Sequence, residues 1–427
     1  MNSEITAAFE NEDLVEELPI DIIENVETEP NPDWCCIFRV PKRIRSVKKE
    51  LYTPQLISIG PLHHGKPELA DMEMKKKQFM KSFLQRTTTK KIDKIFSYIK
   101  DNEEQIRACY AETSTLGSLE FVMMIQYDCI FIMEIFLRKR LQDRSDIDTL
   151  PIIQYSLRID LQLFENQLPY FILEEIYKLA FVGPDLPTFM DLSIDFFGSS
   201  FMGEKLSRIT PGVGVKHFTD WIRISLLKEY PGSKLVEGVI YDLPCAVKLH
   251  ELGIKFIKKE RSLFDIEFKK RWERIPFFEV SELHIPQLGI GDETELLLRN
   301  IIALEQCIYP NDALVCDYIH LIDFLINTEK DVDLLVENQI ISNQMGENVS
   351  VATMFNTLCQ NVITSKSPYH NICKQLKEHC NNPWNRAKAT LKRVYFSNPW
   401  RGTATVAAII LLFLTVIQTV CSIWQVV

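Results

Sequence analysis

The chain has 427 residues, 46% of them hydrophobic, and a formal net charge of −10. The charge is unevenly distributed: residues 1–33 contain 11 acidic residues and no Lys or Arg, so the remainder of the chain sums to +1. This near-neutral remainder excludes the strongly basic domain that is typical of nucleic-acid binders, and no nucleic-acid partner is expected. The acidic stretch, which carries one sign of charge, predicts a disordered tail over residues 1–33.

About 370 residues remain when the tail and a C-terminal apolar run are set aside, enough for one large domain or two smaller ones. The eleven cysteines are odd in number and scattered, which is typical of reduced cytosolic thiols rather than of a disulfide framework. The N-terminus also lacks the basic start and apolar core of a secretory signal. These observations favour a cytosolic location for the body of the protein.

The body begins with an extended segment and continues as helices. Pro41, Pro54 and Pro61 punctuate residues 34–66, Pro67 follows directly, and helical periodicity begins near Leu69. The run Phe121–Leu137 is apolar nearly all round, but it contains Asp128 and Glu134. Each carboxylate would cost ~2.5–3.5 kcal/mol near the centre of a bilayer. The run is therefore predicted to be a central buried helix rather than a membrane span.

A period of two interrupts the helical pattern in the second half of the body. Phe264, Ile266 and Phe268 alternate with charged residues, which predicts a small antiparallel β element near residues 253–290. Helical periodicity predicts these further helices: about 92–111, 150–167, 169–181, from about 292 onward, 313–327, 348–362 and 370–394. The predicted fold is mainly α, with one large helical domain over 34–395, this small β element and a C-terminal transmembrane helix.

The C-terminal residues carry the strongest membrane signal. Gly402–Val427 contains 26 residues and no charge, and Thr403–Trp424 would be ~33 Å long as a helix, enough to cross a ~30 Å hydrocarbon core. Residues 396–427 are therefore predicted to form a basic flank and a single tail-anchored span in membrane lipid. The basic residues before the span favour a cytosolic body, whether the membrane is the plasma membrane or an endomembrane. Ala404 and Ala408, at small-xxx-small spacing, favour a dimer.

Six polar residues are candidates for a functional site: His63, His64, Asp128, Glu134, Glu165 and Asn166. His63 and His64 lie in a loop rich in proline and glycine, where they favour either recognition and general-base chemistry or simple loop packing. The buried carboxylates can act as acids or bases if burial raises their pKa values, but they can also pair with arginines. Glu165 and Asn166 lie at a helix junction, where polar side chains most often bind loose backbone groups.

The motifs predict no metal or cofactor. The group of residues most similar to a metal site is His370, Cys373, His379 and Cys380, whose spacing fits no zinc pattern. His250 starts a partial zinc-protease motif, but the second histidine is missing. The glycine-containing segments lack the strand and the third glycine of a phosphate-binding loop. We therefore expect no bound metal or cofactor and assign no catalytic residue.

Several segments together resemble a known plant family. The first two are CCIFRVPKRIR and YTPQLISIGPLHHGKPEL, between Cys35 and Leu69. Later segments are ENQLPYFILEEI from Glu165, LPCAVKLHELGIKF from Leu243, RNIIALEQC from Arg299 and DVDLLVENQIISNQMG from Asp331. In order and number they resemble the family known as domain of unknown function 247, from about residue 35 to the end. After Asp128 the chain departs from the family pattern, because Cys129 and Ile130 stand where Gly and Cys are usual.

The resemblance implies a plant membrane protein with a C-terminal hydrophobic helix. It also implies a role in recognition or signalling, since some relatives are associated with pollen–stigma self-incompatibility in grasses. It supplies no catalytic residues. The leading hypothesis is a membrane-anchored, non-enzymatic interaction module with an unknown protein partner. The alternatives are a tethered enzyme that uses the buried carboxylates or the His63/His64 loop, and a membrane-active helical protein.

Overall fold

The computed structural model describes residues 34–141, 150–181, 186–198, 206, 208, 213–228, 230, 238–260, 262–272, 279–364, 366–395 and 399–426. The tail predicted over residues 1–33 lies outside this part of the chain. Within it the chain forms seventeen α-helices, two short 3₁₀ helices and five strands. The mainly α fold predicted from the sequence is confirmed.

The helices of the N-terminal half precede the strands. They are α1 (Lys42–Arg45), α2 (Ala70–Arg86), α3 (Thr89–Asp101), α4 (Glu103–Ala108), α5 (Ser118–Leu141), α6 (Pro151–Asp160), α7 (Tyr170–Ala180), α8 (Phe189–Phe197), α9 (Phe218–Leu227) and α10 (Ala246–Glu251). The 3₁₀ helices are Lys49–Tyr52 and Pro67–Leu69.

The C-terminal half contains the strands and seven more of the described helices. The strands are β1 (Ile254–Lys259), β2 (Glu267–Trp272), β3 (Glu279–Pro286), β4 (Leu288–Ile290) and β5 (Ile341–Asn343). The helices are α11 (Thr294–Ile308), α12 (Leu314–Leu325), α13 (Glu329–Glu337), α14 (Asn348–Leu358), α15 (His370–Asn381), α16 (Pro383–Tyr395) and α17 (Pro399–Val426).

Helix α5 lies at the centre of the N-terminal half, as predicted for the run Phe121–Leu137. Fourteen of its residues are buried, and it packs against α2, α3, α7 and α8. The ring centroid of Phe136 lies within 6.0 Å of four other ring centroids, those of Phe189, Phe196, Phe197 and Phe218. Because neighbours surround α5 on all sides, its sequence shows no amphipathic stripe.

The β element predicted near residues 253–290 is confirmed as a three-stranded sheet of order β1-β3-β2. β2 pairs antiparallel with β3, whereas β1 pairs parallel with it, so the sheet is mixed rather than antiparallel throughout. The alternation of apolar residues indicates which face of a strand is buried, but it carries no information on the direction of the neighbouring strand. A separate two-stranded parallel sheet joins β4 and β5.

Three predicted helices are shorter or divided in the structure. The helix predicted over about 92–111 is divided at Asn102 into α3 and α4. The helix predicted over residues 150–167 ends at Asp160, because the next residues turn and their side chains bind backbone groups. The helix predicted over residues 370–394 is divided after Asn381, and α16 begins at Pro383. Proline lacks an N–H group and therefore suits the first turn of a new helix.

Helix α17 differs from the helices of the body in its exposure. Its segment Thr403–Trp424 has a mean hydropathy of 2.5, and none of it is buried inside the protein. Among the described residues it is the one helix that is long and apolar enough to cross a membrane.

Candidate functional site

The segment of residues 35–66, called here the entry segment, lies against the turns at residues 160–167 that follow α6. It was predicted to be extended, but it contains α1 and the 3₁₀ helix Lys49–Tyr52. Ile37 forms an isolated parallel bridge with Tyr110. Other N–H groups of the segment are bound by side chains, from the turns and from α5. Buried backbone groups need such partners, so these side chains determine the path of a segment that has no sheet of its own.

Glu165 binds the entry segment at several points and is fully buried. Its Oε1 accepts a hydrogen bond from the Val40 N–H at 2.8 Å and forms an ion pair with Arg45. Its Oε2 lies 3.1 Å from Nε2 of His63 and 3.5 Å from a guanidinium nitrogen of Arg39. One carboxylate therefore holds the start and the end of the entry segment together.

The partners of Glu165 favour the charged form of its carboxylate. Burial raises the pKa of Glu165, but His63, Arg45 and the Val40 N–H outweigh burial and hold that pKa below its ordinary 4.5. Burial lowers the pKa of His63 below 6.5, although Glu165 acts in the opposite direction. A histidine beside a carboxylate resembles part of a catalytic pair. Here, however, the His63 side chain is 0% exposed, and the carboxylate also binds backbone and arginine.

Asp160 and Asn166 bind successive backbone groups of the entry segment. The Asp160 carboxylate accepts from three N–H groups at 2.7–3.0 Å, those of Gln55, Leu56 and Ile57. Asn166 accepts from the Ile59 N–H at 2.7 Å and donates to the carbonyls of Ile57 and Asp160. Burial raises the pKa of Asp160 to about 6, although the three N–H donors oppose that rise. Both side chains therefore serve as fixed backbone partners.

Asp128 and Lys76 form a buried ion pair beneath the entry segment. Nζ of Lys76 lies 2.6 Å from Oδ1 of Asp128, and 2.5 Å from both the Ser58 carbonyl and Oε1 of Glu73. The Gly60 N–H donates to Oδ2 of Asp128 at 2.8 Å. Burial raises the pKa of Asp128, and the Lys76 ammonium opposes that rise. Each oxygen of the carboxylate thus has a partner.

The other two candidates have simpler surroundings. Glu134 forms an ion pair with Arg86, whose side chain is 55% exposed, and burial raises the pKa of Glu134. Six residues separate it from Asp128 along α5, a rise of ~9 Å. Nδ1 of His64 lies 4.0 Å from Oε2 of Glu73. The structure therefore brings His63, Glu165, Asn166 and Asp128 together around the entry segment and places Glu134 apart from them.

A cleft of about 400 Å³ lies elsewhere and is lined in part by Arg140, Asp191, Asp195 and Arg208. Its charged groups form two ion pairs, Arg140 with Asp195 and Arg208 with Asp191. None of the six candidates lines this cleft. In the described contacts, the six candidate side chains bind other residues of this protein.

Sequence reasoning missed Lys76 and Asp160. Lys76 follows Met72 by four residues and precedes Phe79 by three, which places it on the apolar face of α2 and could have identified it. Asp160 gives no local signal, because its partners lie 103–105 residues away. The possible metal ligands that the structure brings together lie elsewhere, at His320, Asp323 and Cys359. Of this group, the sequence alone shows only that His320 and Asp323 are spaced by about one helical turn.

Comparison with known proteins agrees with the resemblance seen in the motifs. UPF0481 protein At3g47200 of Arabidopsis thaliana is 27% identical over 426 residues, covering 91% of this chain and 86% of the relative. UPF0481 protein At3g02645 of the same plant is 21% identical, with 90% and 89% covered. No solved structure matches the chain. The model of the family described as "Plant protein of unknown function" (DUF247) matches residues 37–414. The match includes the entry segment from Ile37 onward and its partners, and the chain therefore belongs to this plant family, whose function is unknown.

Proposed function

We propose that this chain is a membrane-anchored interaction protein, in which α17 spans the bilayer and the helical body binds a protein partner without catalysing a reaction. The observation that carries the proposal is the segment Thr403–Trp424, which has 22 residues and a mean hydropathy of 2.5 and is not buried in the body. Leu411, Leu412 and Phe413 are 63–67% exposed. Removing such a side chain from water is worth ~1.5–3 kcal/mol, and lipid hydrocarbon supplies the apolar surroundings that the body does not.

The polar side chains of α17 are compatible with lipid. The hydroxyls of Thr415, Thr419 and Ser422 each donate to the carbonyl four residues earlier, at 2.8 Å. A helix also satisfies its own backbone groups, as hydrocarbon requires. The helix therefore presents apolar side chains and internally bonded hydroxyls, which supports its assignment as the anchor.

The charges beside α17 support a cytosolic body. The last acidic residue of the chain is Glu378. Five basic residues lie between it and the span: Arg386, Lys388, Lys392, Arg393 and Arg401. Loops rich in Lys and Arg stay on the cytosolic side of a membrane, so the body on the N-terminal side of the span is expected there.

The contacts of the candidate residues support a role without catalysis at those residues. A catalytic acid or base must reach the proton that it transfers. Asp128 binds Lys76 and a backbone N–H, and Glu165 binds Arg45, His63 and Val40. Both carboxylates are almost completely buried, so a substrate would have to displace the entry segment to reach them.

Protease protection of the full chain in plant microsomes tests the anchor and its orientation. With a tag at each end, we expect protease to remove the N-terminal tag and digest the body without detergent. Protection of the body until detergent is added would contradict the cytosolic orientation. Asn348-Val349-Ser350 is an N-glycosylation sequon, which would be modified only if the body faced the lumen. It is a weaker test of orientation, because the Asn348 side-chain amide already donates to Asp333 at 2.7 Å.

Affinity capture tests the interaction role. The full chain is captured from plant membranes in mild detergent, beside a control in which α17 is fused to an unrelated soluble domain. We expect at least one protein to be enriched reproducibly with the full chain and not with the control, because the body supplies the binding surface. Identical protein sets from both captures would contradict the proposal.

A further inference from the structure

Three possible metal ligands meet where α12 passes the end of α14. His320 and Asp323 lie one turn apart on α12, and Cys359 is the C-terminal cap of α14. One ligand atom from each of the three lies within 4.8 Å of the other two. Tetrahedral zinc, with bonds of ~2.0–2.3 Å, separates its ligand atoms by ~3.3–3.8 Å. The three atoms therefore need to approach one another by about 1 Å or slightly more, within reach of small side-chain rotations.

The imidazole of His320 has an unpartnered ring nitrogen. Its buried Nδ1 makes no hydrogen bond in the described part of the chain. Burial lowers the pKa of His320, and the nearby backbone of Ile240 opposes that shift. In metal-binding histidines one ring nitrogen binds the ion while the other N–H is held by a polar group such as a backbone carbonyl. The ring also packs edge-on against Phe324 at 4.6 Å, which restricts its rotation.

Asp323 and Cys359, which are half-buried, differ from the buried carboxylates Asp128 and Glu134. Asp128 has Lys76 and Glu134 has Arg86, but no hydrogen-bond or ion-pair partner faces the side chains of Asp323 and Cys359 among the described residues. Burial raises the pKa of Asp323 to about 6, and burial with the nearby Asp323 raises that of the Cys359 thiol. Among the described residues, no cation forms an ion pair with either side chain, so both ligand atoms are available to a bound ion.

The guanidinium of Arg299 does not fill this role. Its charge lowers the pKa of Cys359, but the group is bound to the Glu295 carboxylate at 2.9–3.0 Å and to the Thr357 hydroxyl at 3.0 Å. Lys48 pairs with the same Glu295 carboxylate, so Arg299 adds positive charge near Cys359, but in the described contacts its guanidinium forms no ion pair with Asp323 or Cys359.

We propose that Nδ1 of His320, the carboxylate of Asp323 and the thiolate of Cys359 bind one Zn²⁺ ion, with water in a fourth position. Nitrogen and sulfur ligands favour zinc over Mg²⁺ or Ca²⁺, which prefer oxygen. A neutral imidazole, a carboxylate and a thiolate balance the charge of the ion. Binding releases the thiol proton to solvent, together with any proton on Asp323. The ion would join α12 to the end of α14, and the proposal is independent of the membrane anchor.

This site has no zinc-binding motif in the sequence. The group His370, Cys373, His379 and Cys380, whose spacing fits no zinc pattern, lies elsewhere. His379 in the structure contacts the Ser281 hydroxyl and the Leu252 carbonyl at 3.1 Å. The proposed ligands are separated along the chain by up to 39 positions, and only folding brings them together.

Titration of the full chain in detergent micelles with Co²⁺ and Zn²⁺ tests the site. After chelation and dialysis, we expect one Co²⁺ per chain, with a thiolate-to-cobalt charge-transfer band that Zn²⁺ abolishes by displacement. Cys359→Ala should remove the band and weaken binding by at least ~100-fold, the upper end of the loss for an outer-shell partner. The matched control is Cys307→Ala, which removes another half-buried thiol and should leave the band and the affinity unchanged.

Asp323→Asn provides a variant of equal size in case Cys359→Ala disturbs folding, which circular dichroism would detect. It should keep the secondary structure and weaken binding by about 10-fold or more, in the range for metal-site partners. Absence of saturable binding by the unmodified chain would overturn the proposal. Unchanged stoichiometry and affinity in both Asp323→Asn and His320→Ala would also overturn it.

Discussion

The entry segment and α17 are two stretches of the same chain that are stabilised in opposite ways. The entry segment has little regular structure and is held by buried polar partners such as Glu165, Asp160 and Asp128. Helix α17 satisfies its backbone groups internally and leaves its apolar side chains exposed. The first therefore depends on the folded body, whereas the second depends on its surroundings.

This contrast separates two uses of polar residues in an apolar environment. Asp128 and Glu134 are tolerated within the central helix because Lys76 and Arg86 reach them. The segment Thr403–Trp424 contains no acidic residue, and the hydroxyls of Thr415, Thr419 and Ser422 bond within the helix. Changes to the partners of the entry segment should consequently unfold the body, while changes on α17 should alter location.

The largest effect is expected for Lys76→Met. Removing one partner of a buried ion pair leaves an uncompensated charge and costs ~3–5 kcal/mol. We expect the free energy of unfolding to fall by that amount, measured by urea denaturation of the full chain in detergent, followed by far-ultraviolet circular dichroism.

Two further variants sharpen this prediction. Lys77→Met, at an exposed position on the same helix, should change the free energy of unfolding by less than ~0.5 kcal/mol. The double variant Lys76→Met/Asp128→Leu should recover part of the loss, since replacing both partners of a buried pair removes the unpaired charge. Equal effects of Lys76→Met and Lys77→Met would show that the pair does not hold the entry segment.

The next effect concerns two glycines of the entry segment. Gly60 and Gly65 have φ of +71° and +76°, so alanine is strained by ~1–2 kcal/mol at either position. A Cβ at Gly60 would also lie 2.6 Å from the Gln167 carbonyl oxygen and 2.9 Å from the Tyr110 hydroxyl, whereas nothing lies within 4 Å at Gly65. Gly60→Ala should therefore destabilise by an additional ~1–3 kcal/mol in the same denaturation assay. Equal losses at both positions would contradict the close packing of the entry segment against residue 167.

A smaller effect with a defined pH dependence is expected for Glu165→Gln. The pKa of Glu165 is held below 4.5 in the folded chain by His63, Arg45 and the Val40 N–H, despite burial. Its contribution is therefore complete above about pH 4.5 and is lost as the pH falls through the folded pKa. We expect a loss of ~1.5–3 kcal/mol at neutral pH, which diminishes below pH 4.5 when unfolding is compared across pH.

Glu112→Gln is the matched control for Glu165→Gln. Glu112 also pairs with Arg39, but its side chain is 47% exposed. Surface pairs contribute ~0–1 kcal/mol, so this variant should have a small effect on the free energy of unfolding. A pH-independent loss in Glu165→Gln would show that the Glu165 carboxylate is not stabilised in its charged form.

The parts of the fold that could be predicted are those with local signals. The all-round apolar pattern of Phe121–Leu137, the alternation near Phe268 and the uncharged run before Trp424 all depend on neighbours in sequence. The end of α6 at Asp160 and the parallel direction of β1 depend on partners far along the chain. The pattern of residues within one segment carries no information about partners that lie so far away along the chain.

The same limit applies to the candidate site. Glu165 and Asn166 could be selected because they are polar residues at a helix junction. Their partners Val40 and Ile59 lie 125 and 107 residues earlier, and no local pattern indicates which segment they bind. The motifs of the entry segment and of residues 165–176 were visible separately, and their contact is a result of folding.

The smallest effect on the body is expected for Phe413→Ala. The Phe413 side chain is 65% exposed, and none of the surrounding span is buried in the protein. The free energy of unfolding of the body should therefore change by less than ~0.5 kcal/mol. A substantial loss would show that α17 packs against the body rather than against lipid.

The most direct test of the membrane anchor is alkaline carbonate extraction of plant membranes that contain the full chain. We expect the unmodified chain in the pellet and Leu411→Lys/Leu414→Lys in the supernatant, because two charges near the centre of the span oppose insertion by ~5–7 kcal/mol. The control Leu411→Ala/Leu414→Ala should remain in the pellet. Extraction of the unmodified chain, or retention of the lysine variant, would contradict the account.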